Sequence, residues 1–334
     1  MNGVDQRIAA PRDGSRASLR DRVWAPTTSS EPPTMRRPAV YVLAAATVLA
    51  LGANWPIMAE GLERMSPLWL AAWRIAGAAL VMATVLAARR RLSVPQREDR
   101  AIWLSVGLVQ LAFVTAVVFV ALRYVPPGRS SIIVWTSPLW TAPLARIFLH
   151  ERLTRLRLTG IALGTIGILV LLEPWALDWS DGKILIGTAM LLVAAIGNAL
   201  TAVHVRGHRW VGSPMALMPW QLGLAAVPTL TLALVLEGLP DARWSIGTIA
   251  IVAYQIFLGS AFGLWGILTI GRSLPAISAN LSVMAVPVVG LVTSVTFLHE
   301  PLTAGVLAGL VLVLLGVVLG LLSDRVRSVG WLPG

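Results

Sequence analysis

The tetrapeptide Phe148-Leu149-His150-Glu151 returns letter for letter as Phe297-Leu298-His299-Glu300, and after one further residue both copies run on into Leu-Thr. Each copy closes a long apolar run. Sliding the chain by 149 residues places Arg123 on Arg272, Pro126 on Pro275, Val134 on Val283, Pro138 on Pro287, Gly160 on Gly309 and Gly167 on Gly316. No gap is needed across that series. Upstream the offset drifts to 147, where Ser66-Pro67 meets Ser213-Pro214 and Trp73 meets Trp220. One such match is chance, but a series is not. The chain reads as two related halves, 35–174 and 183–323.

The halves are apolar. Of 334 residues, 56% are hydrophobic and 13% charged, with a mean hydropathy of +0.76. Soluble domains run at about 45–50% apolar and about 25% charged, so a bilayer is the second solvent. Ten windows approach the length of about 20 residues that spans hydrocarbon: roughly 39–60, 66–88, 101–122, 128–148, 155–173, 183–204, 213–236, 246–270, 276–298 and 303–323. Residues 1–34, rich in Arg, Ser and Pro, read as a disordered cytosolic tail, with Met35 a candidate start. Residues 324–334 read as a short cytosolic tail. The fold class expected is all-α integral membrane, with ten transmembrane helices.

The net charge of +11 is a topology signal rather than a nucleic-acid footprint, because the arginines sit in short loops. With the N-terminus inside, twenty Arg and Lys fall on the cytoplasmic side and five outside (Arg64, Arg123, Arg129, Lys183 and Arg243). The positive-inside rule then places both termini in the cytoplasm. Five spans per half is an odd number, so the second half enters inverted. Inverted repeats are a transporter plan, with a substrate site near the midplane between the halves.

The run from Ala121 to Leu172, with its "ALRYV", mid-helix "SP", "LHERL" and glycine-spaced final helix, resembles the end of an EamA domain of the drug/metabolite transporter superfamily. The stretch from Arg272 to Gly316 matches equally well, and Arg74 after "SPLWLAAW" matches that family's second-helix arginine. The resemblance spans both halves. It implies a permease of the bacterial cytoplasmic (inner) membrane, often an exporter of amino acids or other metabolites. Alternatives are an uptake permease or facilitator for a small polar metabolite, or a non-transport scaffold or lipid-handling protein.

Polar groups inside hydrocarbon are expensive, so their positions mark candidate sites. Asn54 and Asn198 hold similar places in the two halves, as do Gln110 and Gln255, and Ser131 and Asn280. Together with Trp135 and Tyr254 they form the candidate substrate-binding set; amides both donate and accept, which suits a zwitterion or polyol. The bland reading is that each merely bonds a neighbouring helix. Pro138 and Pro287 are expected to kink helices four and nine as hinges or gates. Arg74, Glu151 and Glu300 are expected in structural ion pairs: Arg74 with Glu60 or Glu63, the alternatives being that it snorkels outward or binds a substrate carboxylate, and the two Glu with a loop arginine such as Arg155, the alternative being that they cap the next helix.

Enzyme chemistry finds no footing. "HERLT" and "HEPLT" open like a zinc-protease helix, but the position four after each His holds Thr154 or Thr303 instead of a second His. There is no cysteine, no P-loop, and no carboxylate deep in any span. No cofactor, metal or nucleic acid is expected. The expected partners are membrane lipids and a small-molecule substrate, with a monomer or a homodimer both open.

Overall fold

The computed structural model describes residues 37–150, 154–172, 182–242, 244–274, 279 and 282–329. The expected tail 1–34, residues 330–334 of the expected tail 324–334, Glu151 and Asn280 lie outside the described residues. Among those described, no strand occurs; the regular structure is helical. The helices are α1 (Arg37–Leu62) and α2 (Pro67–Ala88), then α3 (Arg100–Ala121), α4 (Pro127–Val134), α5 (Ser137–Phe148) and α6 (Arg155–Leu172). The series continues with α7 (Lys183–Gly207), α8 (Pro214–Glu237), α9 (Ile246–Ser273), α10 (Ala285–Leu298) and α11 (Ala304–Val329). Six of them, α1, α2, α3, α7, α8 and α9, are long and apolar enough to cross a membrane. Shorter apolar stretches run through α6, α10 and α11.

Local sequence explains the boundaries. Both α2 and α8 start at a Ser-Pro pair, with proline in the first turn, where its missing N–H costs nothing. Both copies of the opening tetrapeptide end a helix in the same way. His150 and His299 adopt left-handed φ values of 54° and 55°, a conformation that reverses the chain after the last helical turn. α11 runs on to Val329, past the expected end at residue 323.

Two features depart from the expected even helices. The fourth span of the first half is broken rather than kinked: α4 stops at Val134, Trp135 and Thr136 form a turn, and Pro138 sits in the first turn of α5. Pro287 likewise lies in the first turn of α10, after a turn at Met284. A proline in a first turn lacks an N–H that would have been unsatisfied anyway, so the chain resolves the conflict by breaking upstream of it. The second departure is a widened π-helical turn in α3 (Ser105–Val114) and another in α9 (Phe257–Phe262).

Packing is reciprocal under exchange of the two series. α2 lies along α8, and α6 along α11; α1 packs on α10 as α7 packs on α4 and α5; α3 meets α7 and α8 as α9 meets α1 and α2. The α6–α11 contact is backbone to backbone. A Cβ on Gly316 would stand 2.5 Å from Gly160 O and 2.7 Å from Gly164 N, and one on Gly167 would stand 2.8 Å from Val313 N. The tightest core gathers Phe119, Met58, Leu70, Ile132, Ile133, Leu171 and Leu191. Large apolar side chains such as Val42, Leu49, Leu80, Val235 and Phe297 face outward, as expected where lipid rather than water is the neighbour.

Candidate functional site

A cavity of about 280 Å³ lies between the two series. Trp135, Pro138 and Thr141 line it from α5 and the turn before it, and Met284 and Pro287 face them from the start of α10. Arg206 near the end of α7 and Gly316 on α11 complete the wall. The two prolines that the offset of 149 pairs in sequence therefore meet across one space. The helix breaks explain why: each break turns a first-turn proline and its neighbouring aromatic or methionine toward the interface.

Ser131 sits behind this wall. It is fully buried and donates to Gly128 O at 2.7 Å and to Pro287 O at 3.5 Å. A Cβ on Gly290 would stand 2.9 Å from Ser131 Oγ and 3.2 Å from Trp55 Cδ1. Gly290 thus lets α1 and α4 approach α10 closely.

Beyond Trp55 lies a polar cluster in which Asn54, Gln255 and Ser260 are buried and Arg74 is half-buried. Arg74 donates from Nε to Ser260 Oγ (2.6 Å) and from Nη2 to Gly259 O (2.9 Å), and its Nη1 lies 3.4 Å from Met58 Sδ. The guanidinium stands 5.7 Å from the centre of the Phe119 ring. Asn54 donates to the same sulfur at 2.9 Å, and its Oδ1 occupies the space a side chain on Gly259 would fill. Gln255 is 0% exposed. Among the described residues, neither polar atom of the Gln255 amide has a hydrogen-bond partner, nor does Asn54 Oδ1. Each such group costs about 1–3 kcal/mol.

Arg74 is therefore not in the expected ion pair. Arg64 takes Glu60, with Nη2 2.6 Å from Oε1, and Glu63 is exposed. Glu300 takes the second of its two expected roles, a helix cap rather than an ion pair. Its carboxylate, 7% exposed, accepts the backbone N–H of Gly128 (2.8 Å) and Arg129 (3.3 Å), capping α4 from the far half. Burial pushes the Glu300 carboxyl up, against the two capping bonds and the Arg129 charge. Tyr254 donates to Ala50 O at 2.8 Å, tying α9 to α1. Gln110 lies in the π turn of α3 and Asn198 on α7; both are half-buried. Asn198 follows Gly197, which packs on Val114 of α3. The structure thus gathers Asn54 and Gln255 with Arg74, and sets Trp135 and the prolines around the cavity.

Sequence reasoning missed a second tie between the halves. Asp99, 1% exposed, accepts Gly212 N–H (2.7 Å) and Val211 N–H (3.3 Å) and hydrogen-bonds His208 Nε2 at 2.8 Å. Burial alone pushes its carboxyl up, yet the bonds from His208, Gly212 and Val211 and the charge on His208 outweigh it and hold the carboxyl below its ordinary value. An Asp just before a helical run suggests a cap, but Asp99 makes no side-chain cap to its own helix; its carboxylate goes to residues 208–212, a pairing that no local pattern announces.

The sequence profile of the EamA-like transporter family matches residues 38–173 and 185–322. The chain belongs to that family. A probable amino-acid metabolite efflux pump of Salmonella typhimurium is 32% identical over 305 residues, covering 87% of this chain and 98% of that protein. One of the same description from Escherichia coli is 29% identical, covering 86% and 96%. A solved crystal structure with 20% identity superposes with a TM-score of 0.60 over 87% of this chain and 99% of that one, and so shares the fold. This EamA-like protein is a multi-pass membrane transporter and not an enzyme.

Proposed function

We propose that this transporter is a secondary exporter of amino acids or related small metabolites, working by alternating access through the cavity between its halves. The observation that carries the reading is the meeting of Pro138 and Pro287 across that cavity. Two equivalent broken helices, one from each half, form the walls that would have to move. The relatives described as amino-acid metabolite efflux pumps support the substrate class. The reading includes ten spans in two inverted sets, 35–174 and 183–323, between cytosolic tails 1–34 and 324–334, in a bacterial inner membrane with both termini inside. The reciprocal helix contacts support the two sets.

On that orientation the cavity runs toward the cytoplasm, where Arg206 stands at its wall, while Glu300 ties the outer end shut. The test is mass spectrometry of spent medium from cells expressing the wild type, Trp135→Ala, or an empty vector. Amino acids or their derivatives should accumulate outside only with the wild type and fall several-fold with Trp135→Ala. Accumulation inside, or identical media from folded protein, sinks export.

A further inference from the structure

The cavity accounts for Trp135, Pro138 and Pro287 but leaves the most unusual polar chemistry of the protein unused. Arg74, Asn54 and Gln255 converge from α2, α1 and α9 around Gly259 and Met58. A cation half-buried within a membrane span ordinarily meets a carboxylate. Among the described residues Arg74 meets none; it is held by a hydroxyl, a carbonyl, a thioether and a ring face. Beside it stand acceptors without donors: Asn54 Oδ1 and Gln255 Oε1. A packed protein rarely keeps an amide that is 0% exposed with both ends unpartnered. One positive fork and two vacant acceptors are complementary to a carboxylate and an ammonium carried on one carbon.

We propose that Arg74, Asn54 and Gln255 form the seat for the α-amino acid end of the transported molecule. The guanidinium takes the carboxylate in its fork geometry, and the two amide oxygens take the ammonium. Ser260 and Gly259, which now occupy the Arg74 N–H groups, hold the fork in place and yield part of it on binding. Fixed charge is needed at one end only, and the repeat agrees: the position equivalent to Arg74 is Gln221.

The route is short. Pro287 lines the cavity, Ser131 touches the Pro287 carbonyl, Gly290 separates Ser131 from Trp55, and Asn54 is the next residue. A small shift of α10 away from α1 opens the cavity into the seat. The π turn of α9 begins two residues after Gln255 and contains Gly259 and Ser260. Relaxing that turn rotates Gln255 against both, and π turns are frequent at functional sites.

The inference rests on the amino-acid reading above, and the experiment separates the two. The full chain is purified in lipid nanodiscs and its thermal midpoint is titrated with each of the twenty common L-amino acids. The amino acid giving the largest shift is then compared with its amide and with its decarboxylated amine. The acid is expected to bind at least tenfold more tightly than either. Arg74→Lys should lose several-fold in affinity and Arg74→Gln at least tenfold. Gln255→Leu is the decisive variant, because it removes two unpartnered polar atoms and should fold at least as well as the wild type. It is expected to keep or raise the unliganded midpoint while losing at least tenfold in affinity. A wild type that responds to no amino acid overturns the seat and the amino-acid part of the reading above. A wild type that responds, with Gln255→Leu and Arg74→Lys responding equally, overturns the seat alone.

Discussion

His299 shows how much one backbone angle decides. In the left-handed region an L-residue costs about 1–2 kcal/mol, and both tetrapeptide copies accept that cost at their histidine. The turn delivers the next residue, Glu300, to the N-terminus of α4 in the other half. His299→Gly, which relieves the angle and leaves the turn intact, should raise stability by about 1 kcal/mol, read as a higher midpoint in thermal unfolding. At the other end Asp99 sets a pH limit. Its carboxyl is held below the ordinary value of 3.8 in the fold, so its contribution is complete above that value and fades as pH falls through the folded one. Thermal midpoints measured from pH 6 down to pH 3 should drop for the wild type, and Asp99→Asn should start lower and drop less.

Elements were legible where apolar length and punctuation agree. The Ser-Pro starts, the glycine-spaced last helices and the repeat itself follow from residues that act on their own backbone. The breaks before Pro138 and Pro287 were only half legible. Proline signals an interrupted ladder, but whether the helix bends or stops depends on what packs around Trp135 and Met284. The π turns carried no signal, since neither Ser105–Val114 nor Phe257–Phe262 contains a proline. The candidate site divides on the same ground. Asn54 and Gln255 stood out as amides in hydrocarbon, whereas the two oxygen partners of Arg74 come from α9, 185 and 186 residues away, and only the fold brings them near. The α6–α11 contact gives the test at this scale. Gly316→Ala drives a methyl into the backbone of Gly160 and Gly164 and should cost about 1–3 kcal/mol or more. Gly223→Ala, on α8 with nothing within 4 Å, should be neutral or gain up to about 1 kcal/mol from helix propensity. Parallel thermal unfolding of the two variants decides it.

For the whole molecule the absence of cysteine makes topology directly testable. Gln96→Cys and Asp241→Cys each place one thiol in an exposed loop. On the proposed orientation an impermeant maleimide added to intact cells labels only the second, and labels the first after permeabilisation; the reverse pattern would refute the orientation. Arg74 has a consequence of another kind. Its charge lies within a span and, among the described residues, meets no carboxylate there, so in the proposed alternating-access cycle a rocking of the halves that shifts α2 moves a positive charge through the transmembrane electric field. A full charge crossing 100 mV exchanges about 2.3 kcal/mol, and even a fraction of that biases which face the empty carrier shows. A zwitterion adds no net charge, so the bias persists when the carrier is loaded. In proteoliposomes clamped with a potassium gradient and valinomycin, transport should change several-fold between 0 and −100 mV, and Arg74→Gln should flatten whatever flux remains. The membrane potential would then act on this protein as a spring, working through a single guanidinium.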